Sequence, residues 1–179
     1  STGAIIRRFP TPYYINTAVA LLPDGKSVLT GSPDLKIRLL DIETGKCIRT
    51  FSEEAGYIRR AVFSSDGKLV VTNGNNSSSV QLWEMATGNK IRSFSEKGML
   101  SAFALSPDGT RLLTSTDSTA HLWNVATGEV AMTFLGHSEY IQTAAFFPDG
   151  KSVLTCASDT TIRIWDAATG TAIKTFSSQ

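Results

Sequence analysis

Residues 135–176 read LGHSEYIQTAAFFPDGKSVLTCASDTTIRIWDAATGTAIKTF, and the order of runs and turns in this stretch decides the fold. Ile141 to Phe146 is a short apolar run rich in β-formers, ended by Pro148-Asp149-Gly150, where the glycine can take positive φ. Ser152 to Ala157 reads as a second strand and Ser158-Asp159-Thr160 as the next turn. Thr161 to Trp165 alternates polar and apolar residues, which puts Ile162 and Ile164 on one face. Trp165 is expected inside and Arg163 outside. Ala168-Thr169-Gly170 turns the chain again, and Thr171 to Phe176 reads as an outer, half-exposed strand. The unit is a four-stranded antiparallel meander without a helix.

The same unit recurs upstream. Thr-Gly followed six residues after the glycine by Phe is found at Gly3/Phe9, Gly45/Phe51, Gly88/Phe94, Gly128/Phe134 and Gly170/Phe176. An Asp-Gly turn stands at Asp24-Gly25, Asp66-Gly67, Asp108-Gly109 and Asp149-Gly150. A third mark reads Leu39-Leu40-Asp41, Leu82-Trp83-Glu84, Leu122-Trp123-Asn124 and Ile164-Trp165-Asp166. Landmarks in fixed order at a period near ~40 residues mean one supersecondary unit copied in tandem. One meander cannot hide both of its faces, whereas copies stacked face to face around an axis do. The expected fold is therefore all-β, a β-propeller of four-stranded antiparallel blades with four blades in the chain. The expected boundaries are an outer strand at 2–9, then blade 1 (10–51), blade 2 (52–94), blade 3 (95–134) and blade 4 (135–176), together one propeller segment over 1–179.

Gly136-His137, Pro148-Asp149-Gly150, Ser158-Asp159 and Ile164-Trp165-Asp166 resemble the pattern of the WD40 repeat family, and the resemblance covers essentially the whole chain. Other propeller families also use Asp-Gly turns but do not pair them with a Trp-Asp ending at this distance. The resemblance implies a hydrogen-bonded network inside the blade, made in the fourth copy by His137, Thr155, Asp159 and Trp165. A neutral His, a hydroxyl, a carboxylate and an indole N–H can satisfy one another when buried. The His137–Asp159 pair belongs to the repeat and has no nucleophile beside it, so it reads as structural and not as a catalytic dyad. The other copies diverge. The first has Leu40 for Trp and Pro12 near the His position, the second has Ser77 where Asp is expected, and the third keeps Asp117 and Trp123 but lacks the His.

Composition narrows the function. With 17 basic and 16 acidic residues among 179, the formal net charge is +1, which argues against a dedicated surface for nucleic acid or membrane. Cys47 and Cys156 occupy different repeat positions, which fits a reducing compartment and a cytoplasmic location. His121 and His137 have no metal-ligand cluster beside them in sequence, and His121 reads as a half-exposed surface residue. No phosphate loop and no Ser/His/Asp constellation can be argued, so no enzyme, no catalytic residue, no metal and no cofactor is expected.

Binding remains. Nine residues before each Asp of the Asp-Gly turns stand Ile15, Tyr57, Met99 and Tyr140, and two residues further Thr17, Arg59, Ser101 and Gln142. The family resemblance implies that these positions rim the top of the propeller, where peptides and protein partners dock. Ile15, Tyr57, Arg59, Met99, Tyr140 and Gln142 are the candidate partner-binding residues, large and contact-rich with a charged anchor. The expected function is a non-catalytic protein or peptide interaction scaffold. The alternative is a regulatory or sensor segment of a larger signalling protein, such as a nucleotide-binding switch or a kinase with C-terminal repeats. Four blades would expose two apolar faces. The expected partner is a second copy that makes an eight-bladed homodimeric ring, or further blades of a parent chain. The start at Ser1 suggests an excised piece, and strand Gly3 to Phe9 would compete with Thr171 to Phe176 for one edge of blade 4.

Overall fold

The computed structural model describes residues 18–32, 34, 36–51, 58–74 and 78–177. The expected outer strand at 2–9 and residues Pro12, Ile15, Thr17, Tyr57 and Ser77 lie outside them. The first sheet comprises β1 (Ala18–Leu21), β2 (Ser27–Gly31), β3 (Ile37–Asp41) and β4 (Cys47–Thr50). The second has β5 (Ile58–Phe63), β6 (Leu69–Gly74), β7 (Ser79–Glu84) and β8 (Lys90–Ser95). The third holds β9 (Leu100–Leu105), β10 (Arg111–Thr116), β11 (Thr119–Asn124) and β12 (Val130–Phe134). The last is β13 (Ile141–Phe146), β14 (Ser152–Ala157), β15 (Thr161–Asp166) and β16 (Ala172–Ser177). Each sheet keeps its strands in sequence order, the four-stranded antiparallel blade of a β-propeller.

Local chemistry explains the turns. Gly25, Gly67, Gly109 and Gly150 all have φ between 66° and 71°, which only glycine adopts without strain. In the second set of turns, Asp166 Oδ1 accepts the amides of Ala168 and Thr169, and Asn124 Oδ1 accepts those of Ala126 and Thr127. The residue after each Trp thus organises the Thr-Gly turn that follows.

The chain forms two compact units, Ser1–Asn75 with Gln81–Ile91 and Asn76–Val80 with Arg92–Gln179. The core of the first is an interface between its blades, where Leu29, Ile37, Leu39 and Phe51 meet Ile58, Val70, Trp83 and Met85. In the second unit Ala120, Leu122 and Phe134 pack on Ile141, Val153 and Trp165 in the same manner. Each closing Phe meets the Trp of the next blade edge-on or tilted. Phe51 lies 6.1 Å from Trp83, Phe94 lies 5.7 Å from Trp123, and Phe134 lies 5.7 Å from Trp165. Such aromatic pairs add roughly 0.5–1.5 kcal/mol beyond buried area.

Two residues before the Phe, a long side chain reaches the next Thr-Gly turn. Arg49 Nη1 donates to the Thr87 carbonyl at 3.0 Å, and Arg92 Nη2 donates to the Ala126 carbonyl at 2.8 Å. A Cβ placed on Gly88, Gly128 or Gly170 would run into Arg49, Arg92 or Met132 respectively. Glycine in these turns serves packing between blades as well as positive φ.

Candidate functional site

The blade interior has its own chemistry. In blade 4, Trp165 Nε1 donates to Thr155 Oγ1 at 2.8 Å, and that hydroxyl lies 2.7 Å from His137 Nε2. His137 Nδ1 lies 2.8 Å from Asp159 Oδ2. Thr155 Oγ1 accepts a hydrogen bond from the indole N–H and its hydroxyl donates one to Nε2, which leaves the Nδ1–H of His137 to donate to Asp159. Burial pushes the Asp159 carboxyl up. Hydrogen bonds from Thr161, from His137 and from the Thr161 and Ser138 amides outweigh that and hold it well below the usual carboxylate range. These groups satisfy one another and leave none directed at a substrate.

Blade 3 solves the same problem differently. Its hairpin is shorter, since Thr114 and Trp123 are nine residues apart where Thr155 and Trp165 are ten apart. Asp117, the expected counterpart of Asp159, sits in a tight turn at φ 48° with its side chain exposed. The acid of this network is Glu96, which precedes β9 at the repeat position that His137 holds before β13. Trp123 Nε1 donates to Thr114 Oγ1 at 2.7 Å, Thr114 donates onward to Glu96, and His121 Nδ1 lies 3.0 Å from both Glu96 oxygens. His121, expected at the surface, is therefore part of a substitute network, with the acid before the inner strand and the imidazole on β11. Blade 2 keeps the first link, Trp83 Nε1 to Thr72 Oγ1 at 2.9 Å. Arg163 also departs from expectation. It is half-buried, with its guanidinium 5.8 Å above the Trp165 ring.

The described rim positions share a backbone device. In β5 the pairing with β6 shifts between Ile58 and Arg60, so Arg59 is the extra residue of a β-bulge. β13 shifts between Ile141 and Thr143, leaving Gln142 extra, and β9 pairs through Leu100 and Ala102, leaving Ser101 extra. A bulge bends a strand locally and re-aims a side chain. Arg59, Met99, Tyr140 and Gln142 are all exposed, Met99 at 55% and Tyr140 at 39%. Gln142 Nε2 donates to Ser158 Oγ at 3.1 Å, and Ser101 Oγ lies 2.9 Å from Ser115 Oγ. The second unit thus brings Met99, Tyr140 and Gln142 to the starts of two packed inner strands, while Arg59 stands on the first unit. Sequence spacing located these positions but carried no sign of the bulges, which depend on cross-strand register.

Among the described residues, no group of three or more His, Cys, Asp or Glu could hold a metal ion, and no helix is long and apolar enough to cross a membrane. Repeated antiparallel blades with a Trp–Thr bond inside and a Phe–Trp contact between define a class of propeller repeat. The chain belongs to the WD40 repeat family: the family described as "WD domain, G-beta repeat" matches residues 45–84, 88–124 and 128–166. It is similar to the nuclear distribution protein PAC1 of Arthroderma otae, 27% identical over 71% of this chain and 32% of that one. It is also similar to the Lissencephaly-1 homolog of Caenorhabditis briggsae, 32% identical over 65% of this chain and 30% of that protein. An uncharacterized WD repeat-containing protein of Synechocystis is 27% identical over 80% of this chain and 41% of its own length. The chain spans less than half the length of each of these relatives.

Proposed function

We propose that this chain is a non-catalytic interaction scaffold that binds a protein or peptide through the starts of its inner strands. The observation that carries this reading is the repeated bulge, which sets Arg59, Ser101 and Gln142 at one register position in three blades. Exposed Met99 and Tyr140 on the second unit supply contact area of residue types enriched at binding interfaces, and Arg59 holds the matching register position on the first unit. Ile15 and Tyr57 belong to the same proposed set by sequence spacing. The partner is a protein and not a nucleic acid or a membrane, consistent with a net charge of +1, and the setting is cytoplasmic. The test is affinity capture from the source cells with quantitative mass spectrometry, comparing the chain with its Met99→Ala/Tyr140→Ala variant. A partner captured by the first and lost from the folded variant supports the rim. A partner set identical in both removes it.

The scaffold also needs blades beyond its own. Phe51, Phe94 and Phe134 are at most 2% exposed, each beneath the Trp of a following blade, whereas Phe176 is 43% exposed, with Ile162 and Ile173 beside it in the same sheet at 41% and 58%. We infer that a further blade covers this face, supplied by a second copy in an eight-bladed homodimer or by a parent chain. A regulatory or sensor segment of a larger signalling protein is the second reading, favoured by the greater length of the matched relatives.

A further inference from the structure

The interface of blades 1 and 2 can be compared position by position with that of blades 3 and 4, and among their differences one exchanges a long cationic side chain for a short one. In the second unit Arg111, the first residue of β10, lies across the turn of the next blade. Its Nη2 donates to the Gly150 carbonyl at 2.6 Å and its guanidinium stands 5.8 Å over the Phe146 ring. In the first unit the matching position is Ser27, the first residue of β2, while the turn and the Phe beside it are kept. A Cβ on Gly67 would meet Pro23 Cδ at 3.6 Å, as one on Gly150 would meet Pro107 Cδ at 3.6 Å. Phe63 closes β5 as Phe146 closes β13. Where the guanidinium lies in the second unit, the first has an open groove of about 640 Å³.

The groove is apolar below and acidic at its edge. Leu39, Ile48 and Met85 line it, and Ile48 is the bulged residue of β4, 52% exposed. Asp24, Asp66 and Glu84 bring carboxylates to the margin, against the ammonium of Lys68, which lies 3.5 Å from Asp66. An apolar floor with an excess of carboxylates fits a cation on an aliphatic stem.

We infer that this groove binds an arginine side chain of a partner protein, which takes the place that Arg111 takes in the second unit. Its guanidinium donates to the Gly67 carbonyl, its stem covers the apolar floor, and Asp24, Asp66 and Glu84 supply the balancing charge. This is a second interaction surface, independent of the inner-strand rim.

The test is a ¹H–¹⁵N NMR titration of the whole chain with acetyl-arginine amide and, separately, with neutral acetyl-citrulline amide. The arginine probe is expected to shift the Ser27, Gly67 and Lys68 amides and to saturate near ~1 mM, as befits a single side chain. The citrulline probe should bind about tenfold more weakly, the worth of a charge-assisted hydrogen bond. Ser27→Arg should fill the groove from within and abolish the shifts, and Arg111→Ser should open a second site reported by Gly150 and Lys151. Equal binding of the two probes, scattered shifts without saturation, or a folded Ser27→Arg chain that still binds would overturn the inference. If Ser27→Arg fails to fold, the Arg111→Ser chain decides, and failure to gain the second site counts against the proposal.

Discussion

Removing the indole of Trp165 takes away the donor to Thr155, the partner of the Phe134 ring and the platform under Arg163 together. Trp165→Ala should therefore cost about 3–5 kcal/mol. Arg163→Ala loses a half-exposed cation–π contact and the covering of its stem, and should cost about 1 kcal/mol. Urea midpoints measure both, and equal shifts would contradict the geometry. Asp159 gives the acid limb. Its carboxyl is held below the ordinary value of 3.8 in the folded chain, so the unfolded chain binds protons first as pH falls. Its stabilising contribution is complete above about pH 4 and is lost progressively below it. Asp159→Asn should lower stability at pH 7 and flatten the fall between pH 4 and 2, followed by chemical denaturation at each pH.

Blade 3 and blade 4 show how much an element can be rebuilt around a fixed centre. Both keep the Trp–Thr bond, and the shorter hairpin of blade 3 sends Asp117 outward while Glu96 takes over. Counterpart positions should then respond oppositely. Asp117→Asn is expected within about 0.5 kcal/mol of the parent, since Asn tolerates positive φ and the side chain is exposed. Glu96→Gln removes the charge that takes the Thr114 proton and faces His121, and should cost about 1–3 kcal/mol. Thermal unfolding of the two variants checks the exchange. The sequence made the period, the turns and the strand limits legible because they rest on local chemistry, such as glycine at φ 67° in Gly150. Glu96 was not legible, because it stands at the repeat position of His137 and an acid there carries no sign of its partners 18 and 25 residues away. Arg163 was misread although alternation already placed it on the face of Trp165. Its long stem lets a charged group cover an aromatic ring. Among the candidate binding residues, spacing picked out Met99 and Tyr140, which are exposed, but the bulges at Arg59 and Gln142 arise from pairing with β6 and β14.

The exposed Phe176 makes association a property of the whole molecule. Light scattering at micromolar concentration should report a dimer, and Phe176→Asp should shift it toward monomer without lowering the unfolding free energy of the chain by more than about 1 kcal/mol, since the side chain is already partly in water. A monomeric parent chain would exclude self-association as the cover for blade 4. Among the described residues, the aromatic and turn contacts between blades also run forward along the chain. Phe51, Phe94 and Phe134, with Arg49, Arg92 and Met132 two residues before them, reach forward to the Trp and the glycine of the next blade. Such an interface has a head and a tail, and adding a copy regenerates both ends. Growth of this kind stops only when curvature brings the ends together, and otherwise continues as a fibre. Wherever these blades join, the angle between them decides whether the product is a finite ring or a filament.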